Sequence, residues 1–185
     1  MSETIKYVER LEELKEGDLA RLRRLTGKPL DEAVPGFDLF TGVWWRLRQR
    51  SPFAPRRETS WLIAKLYGSF AIPHIRPDPP GAPPTLARLL GQCEPRDERA
   101  QARFRNRFDT ILCSALPALE PHLHWALSVI AGAVDHGGLS GMDWAQLLDD
   151  LSIWDRGEEH KRHRDIRDIW AEEYLTAAIH PNREP

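Results

Sequence analysis

The chain is predicted to be all-α. Apolar residues recur every third or fourth position through most of its 185 residues, and no segment alternates apolar and polar residues between hairpin turns. Gly and Pro punctuate the helical stretches at short intervals. Together these predict about eight helices in a single elongated bundle.

The elements follow in order. Thr4–Glu16 repeats Ile5, Val8, Leu11 and Leu14 at helical spacing. Gly17 closes it, and Asp18 is placed to cap a short helix, Leu19–Leu25, ended by Gly27. Pro35–Gly36 reads as a break before Phe37–Arg48, whose stripe is Phe37, Phe40, Val43, Trp44 and Leu47. A loop from Ser51 through Pro55 carries Arg56 and Arg57, and Thr59 or Ser60 is placed to cap the next helix, with Trp61, Leu62, Leu66 and Phe70 inward. Ile72–Pro84 is Pro-rich and reads as a long irregular connection. Thr85 caps a short helix ending at Leu90–Gly91. Arg96–Leu112 and the apolar Pro117–Asp135 come next, the second stopped by His136-Gly137-Gly138. Met142–Trp154 is amphipathic through Trp144, Leu147, Leu148, Leu151 and Trp154. The last helix, Glu158–Ile179, turns apolar at Ile166, Ile169, Trp170 and Tyr174. The length suits one all-helical domain over 1–185. If it divides into two lobes, the boundary falls in the Pro-rich stretch 72–84 or at Gly91–Pro95.

Hydrophobic residues make up 41% of the chain and seven of its residues are Trp, which argues for a packed core rather than disorder. No apolar run is long enough to span a membrane and MSETIKYVER lacks a signal-type core, so a cytoplasmic protein is expected. Cys93 and Cys113 have no C-x-x-C spacing and read as reduced thiols.

The net charge of −2 hides a segregation. Residues 46–107 carry thirteen basic against five acidic side chains, a net +8, whereas residues 108–185 carry six against fourteen, a net −8. Within the basic region, Arg96, Arg99, Arg103 and Arg107 fall within roughly 80° of one another on a helical wheel. Phe104, Phe108, Ile111 and Leu112 form the apolar stripe beside them. Like charges at this spacing cost an isolated helix about 0.2–0.5 kcal/mol per pair. Either the strip is a solvated face, or a polyanion is expected there.

No catalytic constellation is found. His160 and His163 lie three apart, without the further convergent ligands zinc needs, and a solvated helix face is the plainer reading. His122 and His124 diverge around a helix, as do Asp149 and Asp150, the latter reading as a cap or salt-bridge partner. Phosphate-loop, dinucleotide-binding and serine-nucleophile motifs are absent. No cofactor and no metal are expected. Trp44, Trp61, Trp144, Trp154 and Trp170 sit on apolar stripes and read as core; Trp45 is displaced to the margin, where a subunit contact or base stacking could use it.

Taken in order, several motifs resemble one family. Gly17-Asp18-x-Ala20-x-Leu22-Arg23-Arg24, Leu90–Gly91, Arg103-Phe104 with Leu112, Trp144-x-x-Leu147-x-x-Asp150-Leu151-x-x-Trp154 and Arg167-x-x-Trp170-Ala171-x-x-Tyr174 resemble motifs of the CasB family. That family is the small subunit of the type I-E CRISPR surveillance complex, Cascade. Ile72–Pro84 matches no motif of the family. The resemblance implies an all-helical, non-catalytic subunit present in two copies. It implies contacts with the crRNA-bearing backbone subunits and the large subunit, and basic residues that help hold crRNA-guided target DNA and the displaced strand. At matched positions it points to Arg23, Arg24, Arg103 and Arg167; Arg99, Arg107, Lys161 and Arg164 join them by helical adjacency. In a head-to-tail pair, the acidic portion of one copy could meet the basic portion of the next. Two other classes remain open at this point: a helical protein–protein adaptor whose arginines meet an acidic partner, and an enzyme such as a nuclease with an unrecognised site.

Overall fold

A computed structural model describes residues 2–32, 34–51, 54–70, 72–76, 83–155 and 164–179, with backbone alone for 34–37. The fold is all-α. Among the described residues nine helices follow one another: α1 (Glu3–Glu12), α2 (Glu16–Arg23), α3 (Val34–Arg50), α4 (Arg57–Ser69), α5 (Leu86–Gln92), α6 (Glu98–Cys113), α7 (Glu120–Asp135), α8 (Trp144–Ile153) and α9 (Ile166–Ile179). They form two compact units, Met1–Ala71 with Trp144–Ser152, and Ile72–Asp143 with Ile153–Pro185.

In the first unit α1 buries Tyr7, Val8 and Leu11; Val8 and Leu11 belong to the predicted repeat, Ile5 and Leu14 at its ends are half-buried, and Tyr7 joins the core from beside it. Tyr7 is fully buried, and its hydroxyl donates to the Ser60 carbonyl at 2.6 Å. Burial pushes that phenol's pKa well up. The Thr4 hydroxyl donates to Asp149 Oδ1 at 2.9 Å, tying α1 to α8. Helices α2 and α4 cross closely at Gly68, where a Cβ would stand 2.9 Å from both the Leu19 carbonyl and Leu22 Cβ. The Trp61 indole and the Lys65 ammonium both donate to the Lys28 carbonyl, at 3.0 Å each. Phe40 meets Trp61 edge-on at 5.4 Å, and Tyr67 meets Trp144 likewise at 5.2 Å.

In the second unit α5 lies against α9. A Cβ on Gly91 would stand 2.3 Å from the Tyr174 carbonyl and 2.9 Å from Ala177 Cβ, so the two backbones approach to a distance that glycine permits. Thr85 caps α5 as expected, accepting from the Arg88 N–H at 3.3 Å, and its hydroxyl donates to Glu173 on α9 at 2.6 Å. Tyr174 stacks on Phe108 at 4.2 Å, and Phe104 meets Trp125 edge-on at 5.1 Å, which seats α6 against α9 and α7. Trp154 and Trp170, both buried, meet at 4.8 Å.

Several boundaries differ from the sequence reading, each for a local reason. The first break falls at Leu14–Lys15 rather than at Gly17, so Asp18 sits in the first turn of α2 instead of capping it. Pro35–Gly36 begins α3 rather than breaking the chain; a first-turn proline lacks only an N–H that would be unpaired there anyway. Helix α4 starts at Arg57, which turns Thr59 and Ser60 into buried helical residues rather than caps. Helix α9 starts at Ile166, where Asp165 Oδ1 accepts from the Arg167 N–H at 2.9 Å. Of the Pro-rich connection, 72–76 and 83–84 are described and are irregular; Ile75 N–H donates to the Met142 carbonyl at 3.0 Å.

Candidate nucleic-acid interface

The arginine helix begins later than its composition suggests. Asp97 Oδ1 accepts from the Ala100 N–H at 2.8 Å, which caps α6 and leaves Arg96 before it. Arg96 therefore drops out of the helical strip. Glu98 in the first turn suits the positive end of the helix dipole.

Phe104, Phe108 and Ile111 are buried and fix the rotation of α6. With about 100° per residue, that rotation sets Arg99, Arg103 and Arg107 on one flank of the buried stripe, about 6 Å apart along the axis. All three are exposed. Among the described residues none of them pairs with a carboxylate. The Arg107 guanidinium lies over the Trp125 ring at 5.4 Å, a cation–π contact that orients the group without neutralising it. Trp125 on α7 is a residue the sequence reading does not single out. It falls off the Leu123–Leu127 stripe, and its role depends on the packing of α6 against α7.

The opposite flank behaves differently. Arg105 Nε and Nη2 both reach Glu94, the second at 3.1 Å. Tyr174 Oη donates to Glu94 Oε1 at 2.7 Å and Gln101 Nε2 donates to Oε2 at 3.0 Å. The Glu94 side chain is 5% exposed. Burial acts to raise its pKa, but the bonds from Arg105, Tyr174 and Gln101 and the Arg105 charge outweigh this and hold it below the usual carboxylate value. Tyr174 is pushed up, first by burial and then by donating to that carboxylate. Arg105 is thus a structural clamp.

The other candidates divide in the same way. In the first unit Arg23 Nε donates to the Gly68 carbonyl at 2.9 Å and its Nη2 lies 3.7 Å from Glu16, so much of its fork is used in joining α2 to α4. Arg24, the next residue, is exposed and makes no ion pair among the described residues. In the second unit Arg164 pairs with Glu172 at the surface. Arg167 lies 5.2 Å over the Trp154 ring, contacts Asp155 Oδ1 at 3.3 Å and reaches the Ser114 carbonyl at the C-terminal end of α6 at 3.5 Å. Its side chain is 30% exposed. Lys161, with His160 and His163, lies outside the described residues.

Among the described residues no three His, Cys, Asp or Glu side chains are placed to hold a metal ion, and no helix is long and apolar enough to cross a membrane. Asp149 accepts from Thr4 and Asp150 from Gln146, at 2.7 Å in the second case, which gives both carboxylates positions in the packing of the first unit.

A family model described as CRISPR-associated protein Cse2 matches residues 18–175. The crystal structure of CasB from M. ruber is similar to this fold with a TM-score of 0.73 and 23% sequence identity, covering 97% of this chain and 95% of that one. The crystal structure of a CRISPR-associated protein of the Cse2 family from Thermus thermophilus gives a TM-score of 0.66 at 23% identity, covering 94% of this chain and 96% of that one. At that identity the likeness speaks for the fold. No curated protein matches the sequence.

Proposed function

The chain belongs to the CRISPR-associated Cse2 family, and from that premise we propose that it acts as the non-catalytic, nucleic-acid-binding small subunit of a type I-E Cascade complex. In this role it assembles with the crRNA-bearing backbone subunits, the large subunit and a second copy of itself in the cytoplasm. Its basic side chains hold the target and displaced DNA strands once the guide has paired.

The observation that carries the reading is the flank of α6. Arg99, Arg103 and Arg107 are exposed, evenly spaced and unneutralised among the described residues, on a helix whose rotation is fixed by buried aromatics. Guanidinium groups in that state suit phosphate oxygens, which they contact in bidentate fashion and without reading sequence. Exchange of a DNA duplex for an RNA–DNA hybrid is nearly balanced, so a few backbone contacts are enough to tip it. Arg24 is a second candidate of the same kind. Arg23, Arg164 and Arg167 remain candidates for partial contact, because each already has an internal partner. A protein adaptor with an acidic partner would use the same arginines, and the dependence on salt and on ligand separates the two.

The test is DNA binding by the full chain across a salt series, with Arg99, Arg103 and Arg107 all changed to Ala. Three contacts of about 1 kcal/mol each predict a loss of about 100-fold at low salt. The log–log salt slope should shrink by about 2 to 3. Unchanged affinity and slope would remove the strip from the phosphate surface.

A further inference from the structure

The first unit carries a second feature that the arginine flank of α6 does not account for. Helix α3 buries Phe40, Val43 and Leu47 at helical spacing, and this rotation turns Trp45 to the opposite side, where it is 48% exposed. The ring is nevertheless braced. Trp45 lies 6.0 Å from Trp44 at a tilt of 46°, and Trp44 lies parallel to Phe40, at 5.9 Å and 9°. The Trp44 indole donates to the Pro55 carbonyl at 2.8 Å, which pins the middle ring. The Trp45 indole N–H takes no partner among the described residues.

The surroundings of Trp45 are cationic. Thr41–Arg50 contains Arg46, Arg48 and Arg50, all exposed, and no Asp or Glu. Arg48 and Gln49 lie three and four residues on and share the face of Trp45, while Arg46 flanks it. Arg56 is exposed just beyond the helix, and Arg57 is paired with Glu58. Asp38, the nearest acid along α3, stands seven residues earlier, about 10 Å up the axis. A braced, half-exposed indole among cations matches a ligand that has both π faces and phosphates. Stacked bases in a duplex keep their faces covered, so the match is to unpaired nucleotides.

We propose that Trp45 is a stacking platform for a base of single-stranded nucleic acid, with Arg46, which flanks the ring, contacting a phosphate beside it. The inference rests on the nucleic-acid-binding reading above and adds the kind of strand that this part of the molecule takes.

Fluorescence anisotropy of the full chain with a labelled single-stranded DNA 20-mer, and with the same sequence as a blunt duplex, tests it across a salt series. Trp45→Ala should weaken single-strand binding by about 5- to 150-fold, the worth of one base on an aromatic ring. It should leave duplex binding and the salt slope unchanged, and Trp45→Phe should retain most of the affinity. Arg46→Ala should lower the single-strand salt slope by about 0.7. Single-strand binding by Trp45→Ala equal to wild type overturns the platform and leaves the α6 reading standing. Equal losses on single strand and duplex overturn it too, as does impaired association with partner subunits at unchanged DNA affinity, which would make Trp45 a protein contact. A wild-type chain that binds neither DNA form removes the nucleic-acid reading and this inference with it.

Discussion

The two flanks of α6 carry the same residue type to different ends. On one, Arg99, Arg103 and Arg107 extend into solvent without a carboxylate among the described residues. On the other, Arg105 closes on Glu94, which Tyr174 and Gln101 hold from two further directions. Two positions along the helix separate a charge free for a ligand from a charge consumed by the fold. Arginine content therefore says little about a binding surface until the carboxylates of neighbouring segments are located. The +8 of residues 46–107 overstates what is available.

The comparison can be broken most forcefully by moving the frame that supports both flanks. Gly91→Ala places a methyl group 2.3 Å from the Tyr174 carbonyl, a backbone atom that cannot swing aside. The clash outweighs the roughly 1 kcal/mol of helix propensity that Ala gains, and we expect a net loss of about 2 kcal/mol in urea unfolding. DNA affinity of the folded fraction should then fall with the displacement of Tyr174 from Phe108.

A smaller effect sharpens the structural flank. Glu94→Gln removes a carboxylate that ionises more readily folded than unfolded, and leaves Arg105 unpaired. At pH 7 it should cost about 1–2 kcal/mol. The sign follows from the lowered pKa. The wild-type advantage is complete above the unfolded carboxylate value of roughly 4.3 and is lost as pH falls through the folded value below it. Denaturation curves of the two proteins should therefore converge in acid. A gap that persists unchanged at low pH would show that Glu94 acts through shape alone.

Smallest of all is Arg105→Ala. Its side chain is 49% exposed, so solvent screens the pair and a loss of about 0.5–1 kcal/mol is expected. DNA affinity should stay within twofold of wild type, against the large loss predicted for the Arg99, Arg103 and Arg107 triple variant. Similar DNA losses for Arg105→Ala and Arg103→Ala would erase the distinction between the flanks.

Much of the fold is legible in the residue order, and the differences have a pattern. The helical repeats locate the centre of most core stripes, and Trp61, Trp144, Trp154 and Trp170 are buried as their stripes require. Trp44, Ile5, Leu14 and Phe70, by contrast, are only half-buried, and Tyr7 and Ile63 join the core from outside the predicted stripes. Trp45, expected at the margin, is exposed there. Helix starts are less legible. Asp18, Thr59 and Ser60 are competent caps in isolation, yet they lie inside α2 and α4, whose actual N-cap residues, Lys15 and Arg56, make no side-chain capping bond. The family-like motifs are also chiefly packing residues. Leu22, Leu147, Leu151, Trp154, Trp170 and Tyr174 are buried, and Arg23 and Arg167 join elements, which leaves Arg24 and Arg103 as the members of the basic set without an internal partner among the described residues.

The sequence by itself determined the helical class, the centres of most inward stripes, the arginine spacing on α6 and the family, because all of these depend on residues close together in the chain or on their order. Tertiary structure alone decided which charges are free. Glu94 meets Arg105 across eleven residues and Tyr174 across eighty, and Arg107 finds Trp125 on another helix. A helical wheel carries the angle of a side chain about its own axis, and nothing about what the neighbouring helix presents to it. The strip at Arg99, Arg103 and Arg107 is visible as a pattern; that it stays unneutralised among the described residues is a property of the packing around it.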